Sequence, residues 1–142
     1  MFIALIAALA LQADVSGSAL ETHTVTVVVE GVRDSLGHVR VDVCTSDEFL
    51  GDNCTASGSA PATKGVTVVT VPDVGPGVYA VQAFHDRNDN HKVDRGAFGV
   101  PTEDVGFSGA PKIGLHGPNF VPASFTHGLS PQAVTVRLKH FF

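Results

Sequence analysis

The chain has 142 residues, enough for one domain with a sizeable core, and only 16% of them are charged against about 25% in ordinary soluble domains. A formal net charge of −5 leaves no basic footprint, which excludes nucleic acid as an expected partner. Fifteen glycines and eight prolines punctuate a sequence with almost no helical periodicity.

Residues 1–19 read as an export signal rather than part of the fold. Phe2 opens an unbroken apolar run of ten residues ending at Leu11, and small residues follow at Ala13, Ser16, Gly17, Ser18 and Ala19. The run is too short to span a bilayer, which takes roughly 20 residues, and no other run is longer. One feature is atypical: no Lys or Arg precedes it. The reading predicts a signal helix at 1–19, a mature domain at 22–142, export to the periplasm or beyond, and no integral membrane segment. The competing reading is a buried N-terminal helix.

From residue 22 the pattern is that of strands. Residues 22–30 (THTVTVVVE) alternate Thr with Val and then become continuously apolar; both residue types are stiff at χ1 and suit a pleated surface. Residues 31–37 form a turn. Residues 38–44 (HVRVDVC) alternate strictly, with Val39, Val41 and Val43 on one face and Arg40 and Asp42 on the other, as in a half-buried antiparallel strand. A long connection at 45–63 is rich in small residues. Strands are expected at 65–71 and 78–84, around a Pro/Gly turn at 72–77. Two more are expected at 120–126 and 133–138. Six or seven short strands predict an all-β fold: a single antiparallel β-sandwich, immunoglobulin-like or prealbumin-like, carrying one long polar loop.

Cys44 and Cys54 flank the turn-rich segment CTSDEFLGDNC. Zinc would need two further ligands, and the spacing is not that of a knuckle. With an export signal ahead of them, a disulfide is the expected state; a loop this short gains about 2–3 kcal/mol from closure.

The most polar stretch, residues 85–103 (HDRNDNHKVDRGAFGVPTE), follows the strand at 78–84. Asp86, Asn88, Asn90 and Asp94 occupy the first, third, fifth and ninth places of a calcium-type loop, and Lys92 would offer its carbonyl at the seventh. The sixth place holds His91 instead of Gly. The twelfth holds Ala97 instead of a bidentate Glu, a gap that Glu103 or Asp104 would fill by folding back. The set Asp86, Asn88, Asn90, Lys92, Asp94 and Glu103 is therefore a candidate calcium site, though not an EF-hand, since no helices flank it. The alternative is metal-free: Asx turns that hold the excursion rigid.

The histidines at 85, 91, 116, 127 and 140 match no zinc or copper spacing and read as hydrogen-bonded structural residues. His85 beside Asp86 suggests, as an alternative, a small metal-dependent hydrolase built on that pair; Ser108 in GFSG is the only candidate nucleophile, and it lacks the strand-turn-helix setting of a nucleophile elbow. Adjacent strand residues point to opposite faces, so the pair is a poor dyad, and no catalytic residue is expected. Residues 106–122 form a loop whose apolar members, Phe107, Ile113, Leu115 and Phe120, are expected to pack over the sandwich. Phe141 and Phe142 are expected to finish the last strand.

Several positions recur in fixed order: Pro76-Gly77, Tyr79-Ala80, His85-Asp86, Asn88, Asn90, Lys92, Asp94, Gly99, Pro101, Glu103 and Phe107-Ser108. In these the chain resembles an uncharacterised exported bacterial family, domain of unknown function 2141, over most of the mature chain. The resemblance implies a small exported β-sandwich and carries no catalytic residues. The expected role is an exported cell-envelope binding or structural module, with an envelope protein or glycan as its class of partner.

Overall fold

A computed structural model describes residues 23–96, 99–114 and 117–141. The proposed signal at 1–19, His116 and the loop position Ala97 lie outside the described residues.

Among the described residues, eight strands form two packed sheets. They are β1 (Val25–Val32), β2 (His38–Cys44), β3 (Ala56–Pro61), β4 (Gly65–Val71), β5 (Gly77–Asp86), β6 (Val105–Phe107), β7 (Ser124–His127) and β8 (Gln132–Arg137). One four-residue helix, α1 (Phe120–Ala123), leads into β7. The smaller sheet has the order β4-β1-β8; the larger has β3-β2-β5-β6, with β7 also pairing with β5.

Alternation decides what faces inward. Val25, Val27 and Val29 of β1, Val39, Val41 and Val43 of β2, and Val69 and Val71 of β4 are all essentially without exposure. Tyr79, Val81 and Ala83 of β5 and Val136 of β8 join them in the core between the sheets, with Val32, Ala62, Val74 and Leu138 at its margins. A core so dominated by valine loses little side-chain freedom on folding, because β-branched side chains have few rotamers to lose.

Three expectations are corrected. The connection at 45–63 contains a strand, β3, which pairs antiparallel with β2 from His38↔Pro61 to Val43↔Ala56. Residues 120–123 are helical instead of extended. Pro122 has no N–H to donate to a sheet ladder, so the strand starts only at Ser124. The sandwich is antiparallel except at one place: β1 and β8 run parallel, from Val25↔Gln132 to Glu30↔Arg137. The chain returns beside β1 only after passing through the other sheet, and it arrives in the same direction.

The sheets meet at one edge. Val105 and Lys139 exchange both backbone hydrogen bonds, at 3.1 and 2.7 Å. Gly106 lies so close to the end of β8 that a Cβ there would stand 2.4 Å from the Arg137 carbonyl oxygen. Cys44 and Cys54 form the expected disulfide, closing the loop that follows β2. Among the described residues, no helix is long and apolar enough to cross a membrane.

Candidate functional site

The polar loop leaves the larger sheet at the end of β5, beside the turn between β1 and β2. Gly37 makes this exit possible. It has φ +64°, and a Cβ on it would lie 2.1 Å from the Asp86 carbonyl oxygen and 2.8 Å from that of Arg87. The loop backbone passes through the space a side chain would fill.

Strand alternation separates His85 from Asp86. His85 points inward and is fully buried; its Nε2 lies 2.7 Å from the Leu36 carbonyl oxygen and 3.7 Å from Asp34. Its Nδ1 has no partner among the described residues. Asp86 points to the outer face and is also fully buried. Its Oδ2 accepts from Arg40 Nε at 2.6 Å and from the His91 N–H at 2.9 Å, and its Oδ1 accepts from the Asn90 N–H at 3.1 Å. Burial opposes the charge. The Arg40 guanidinium and the two N–H groups outweigh it and hold the carboxyl below the usual range.

These bonds curl the loop back over its own start. Asp89 and His91 take left-handed backbone, with φ 54° and 65°. Asp and His are among the few side-chain-bearing residues that tolerate it. His91 thus adopts, without being glycine, the kind of conformation for which a calcium loop uses glycine at its sixth place.

The next shell gathers four oxygen-bearing side chains. Asn88 Nδ2 lies 2.7 Å from Asp94 Oδ2, and Asn90 Nδ2 lies 2.5 Å from Asp94 Oδ1. Glu103 does reach back: its two oxygens accept the Asp94 and Arg87 N–H groups, each at 3.1 Å. Burial pushes the Glu103 carboxyl up, and the charges of Asp94 and Asp86 add to this, partly offset by those N–H bonds. Lys92 is exposed, and its N–H donates to Asn90 Oδ1 at 3.2 Å.

A cavity of about 260 Å³ opens beside this cluster, lined by Arg33 and Arg87 together with Asn88, Asp94, Glu103 and Asp104. Both arginines are paired: Arg87 with Asp34 at 2.7 Å, and Arg33 with Asp104 at 2.7 Å. His140 also reaches Asp104, at 2.6 Å. Arg33, Asp34 and His140, from distant parts of the chain, were not visible as site residues in the sequence; Asp104 was named there as a possible ligand, but it pairs with Arg33 and His140.

Of the proposed ligands, Asn88, Asn90, Asp94 and Glu103 come together. Asp86 belongs instead to an ion pair that organises the loop. Among the described residues, no three His, Cys, Asp or Glu side chains converge as a metal site, so a cation here would depend on the two amides. Each amide presents its oxygen in place of its nitrogen after a half-turn about the terminal bond. His85, His91, His127 and His140 do not share a centre. His127 is buried against Gln132, and His140 pairs with Asp104. Ser108 is buried; its hydroxyl donates to the Ala123 carbonyl at 2.6 Å and accepts the Val81 N–H at 2.8 Å, so it ties α1 to β5.

No curated protein and no solved structure matches the chain. One family model does match, over residues 27–135: an uncharacterized protein conserved in bacteria (DUF2141). That span runs from β1 into β8 and includes the whole loop, and the chain belongs to this family.

Proposed function

We propose that the chain is an exported cell-envelope module, binding or structural in role, whose loop 86–103 is ordered by calcium. The observation that carries this is the convergence of Asn88 and Asn90 on both carboxylate oxygens of Asp94, with Glu103 bonded to the Asp94 N–H. Asn88, Asn90, Asp94 and Glu103 would hold the ion, with the Lys92 carbonyl as a further donor. Calcium supplies charge neutralisation here, relieving the repulsion between Glu103 and its carboxylate neighbours. It takes six to eight oxygens, so places remain for water or for the oxygens of an envelope protein or glycan.

Export is supported by the disulfide and by the signal-like sequence of 1–19. A non-catalytic role is favoured over a metal-dependent hydrolase. His85 and Asp86 sit on opposite faces of β5, and the Ser108 hydroxyl is committed to backbone groups.

Thermal melting with added ions tests the reading. Calcium at about one hundred times its Kd is expected to add about 2.7 kcal/mol of stability, reversed by chelator and absent in Asp94→Ala and Glu103→Gln. Equal melting temperatures with calcium and with chelator would overturn it. A zinc-specific rise that vanishes in His85→Ala would favour the hydrolase.

A further inference from the structure

The disulfide loop carries a second surface, distant from the polar loop along β2, that the calcium reading does not use. We infer that it docks a segment of another protein in which an aliphatic or aromatic anchor is flanked by lysine or arginine. Leu50 is the centre of the case. It holds left-handed backbone, φ 69°, which is strained for a side-chain-bearing residue, and yet its side chain is 45% exposed. The loop is not loose. Gln82 clamps it from β5, accepting the Leu50 N–H at 2.8 Å and donating to the Gly51 carbonyl at 2.9 Å. Glu48 bridges its two ends, accepting the Thr45 and Thr55 N–H groups at 2.9 and 3.0 Å.

Aromatic contacts join the disulfide loop to β6 and α1. Phe49 packs edge-on against Phe107 and Phe120, with ring centres 5.8 and 5.7 Å apart. Phe120 leads directly to Val121, which is 78% exposed. Folding alone rewards neither a strained backbone under Leu50 nor two aliphatic side chains held in water around a stack of aromatic rings.

Charge selects the occupant. Residues 45–54 carry Asp47, Glu48 and Asp52 and no Lys or Arg, and Asp42 lies near enough for the charge of Asp52 to act on it. Lys112, in the segment before α1, is the one cation of residues 108–123, while Arg137 and Lys139 share a pocket with Phe107, and the carboxylates gather at the loop itself. A second copy of the chain would set these carboxylates against their own kind, and anionic lipid would be repelled. A basic-flanked anchor gains from both the rings and the rim.

The test uses the full chain and three synthetic peptides, KKLFKK, EELFEE and KKGSKK, followed by NMR shifts of backbone amides. KKLFKK is expected to bind saturably, more weakly as salt is raised, with shifts centred on Phe49, Leu50 and Val121. The other two should bind about tenfold more weakly or worse. The double variant Leu50→Asn, Val121→Ser should lose the binding without a lower melting temperature, since Asn suits left-handed backbone and both sites are exposed. Absent or non-saturable KKLFKK binding, equal affinity for EELFEE, or unchanged binding by the double variant overturns the inference. So does a dimer of the peptide-free chain that the double variant dissolves in sedimentation, because the occupant is then a second copy.

Discussion

Replacing Arg40 by Leu should be among the most damaging single changes outside the core. Arg40 Nε stands 2.6 Å from Asp86 Oδ2; the arginine side chain is 17% exposed and the carboxylate not at all. Removing one partner of a buried pair strands the other charge, at a cost of about 3–5 kcal/mol. Two N–H groups remain on Asp86, which argues for the lower end. For a domain of this size each kcal/mol moves the melting temperature by about 3–5 °C, so a fall of roughly 10–15 °C is expected. The pH dependence fixes the mechanism. The folded-state pKa of Asp86 is lowered, so the stability it contributes is present above its unfolded value near 4 and is lost as pH falls through the folded value. Without Arg40, burial dominates and the variant regains ground as Asp86 is protonated. Urea melts should therefore show the deficit shrinking from pH 7 towards pH 3. In a double-mutant cycle, Asp86→Asn should cost less in the Arg40→Leu background than in the parent, by about 1–3 kcal/mol. A deficit below about 1 kcal/mol at pH 7, or one that does not change with pH, would refute the picture of Asp86 as a buried anion held by Arg40.

Gly37→Ala should cost about 2–3 kcal/mol in urea and shift the loop amides in NMR spectra, since its Cβ would collide with the Asp86 carbonyl. Gly37→Asn should be no better, although Asn accepts the backbone angle; a benign Asn would mean that the angle, not the collision, requires glycine. Asp42→Asn should raise stability at pH 7. Burial lifts the Asp42 carboxyl, Gln82 partly offsets this, and the charge of Asp52 adds to it. A raised pKa penalises the folded state at high pH and not below the unfolded value. The gain should thus fade as pH falls through the raised folded value and be gone below about 4 in denaturation midpoints, and a gain that persists at pH 3 would contradict it.

Much of the fold was legible where alternation is strong. Val39, Val41 and Val43 announce the buried face of β2, and the apolar run through Val27, Val28 and Val29 announces a strand covered on one side and half-covered on the other. β3 was not legible. Its sequence, ASGSAP, has neither β-branched residues nor contrast between faces, and it becomes a strand because β2 offers an unpaired edge beside it. Phe120 and Val121 look like the start of β7, but Pro122 displaces that start to Ser124. At the site, the spacing of Asp86, Asn88, Asn90 and Asp94 disclosed a curled, oxygen-rich loop. It did not disclose that Asp86 is occupied by Arg40, which is 46 positions away in sequence. Nor did it disclose that Arg33 and Asp34, from the turn after β1, pair with Asp104 and Arg87. Ladder register places Arg40 opposite Phe84, two residues from Asp86, and such pairings are set by folding rather than by local pattern.

The parallel pairing of β1 with β8 has a mechanical consequence. The chain enters β1 at one end of the sandwich and leaves β8 at the other, so a force pulling the two ends apart runs along this ladder. Its rungs, from Val25↔Gln132 to Glu30↔Arg137, are then loaded together in shear instead of being unzipped in turn. Under tension such an arrangement resists extension, and the polar loop, beside the turn that follows β1, lies at the end of the domain opposite Val25.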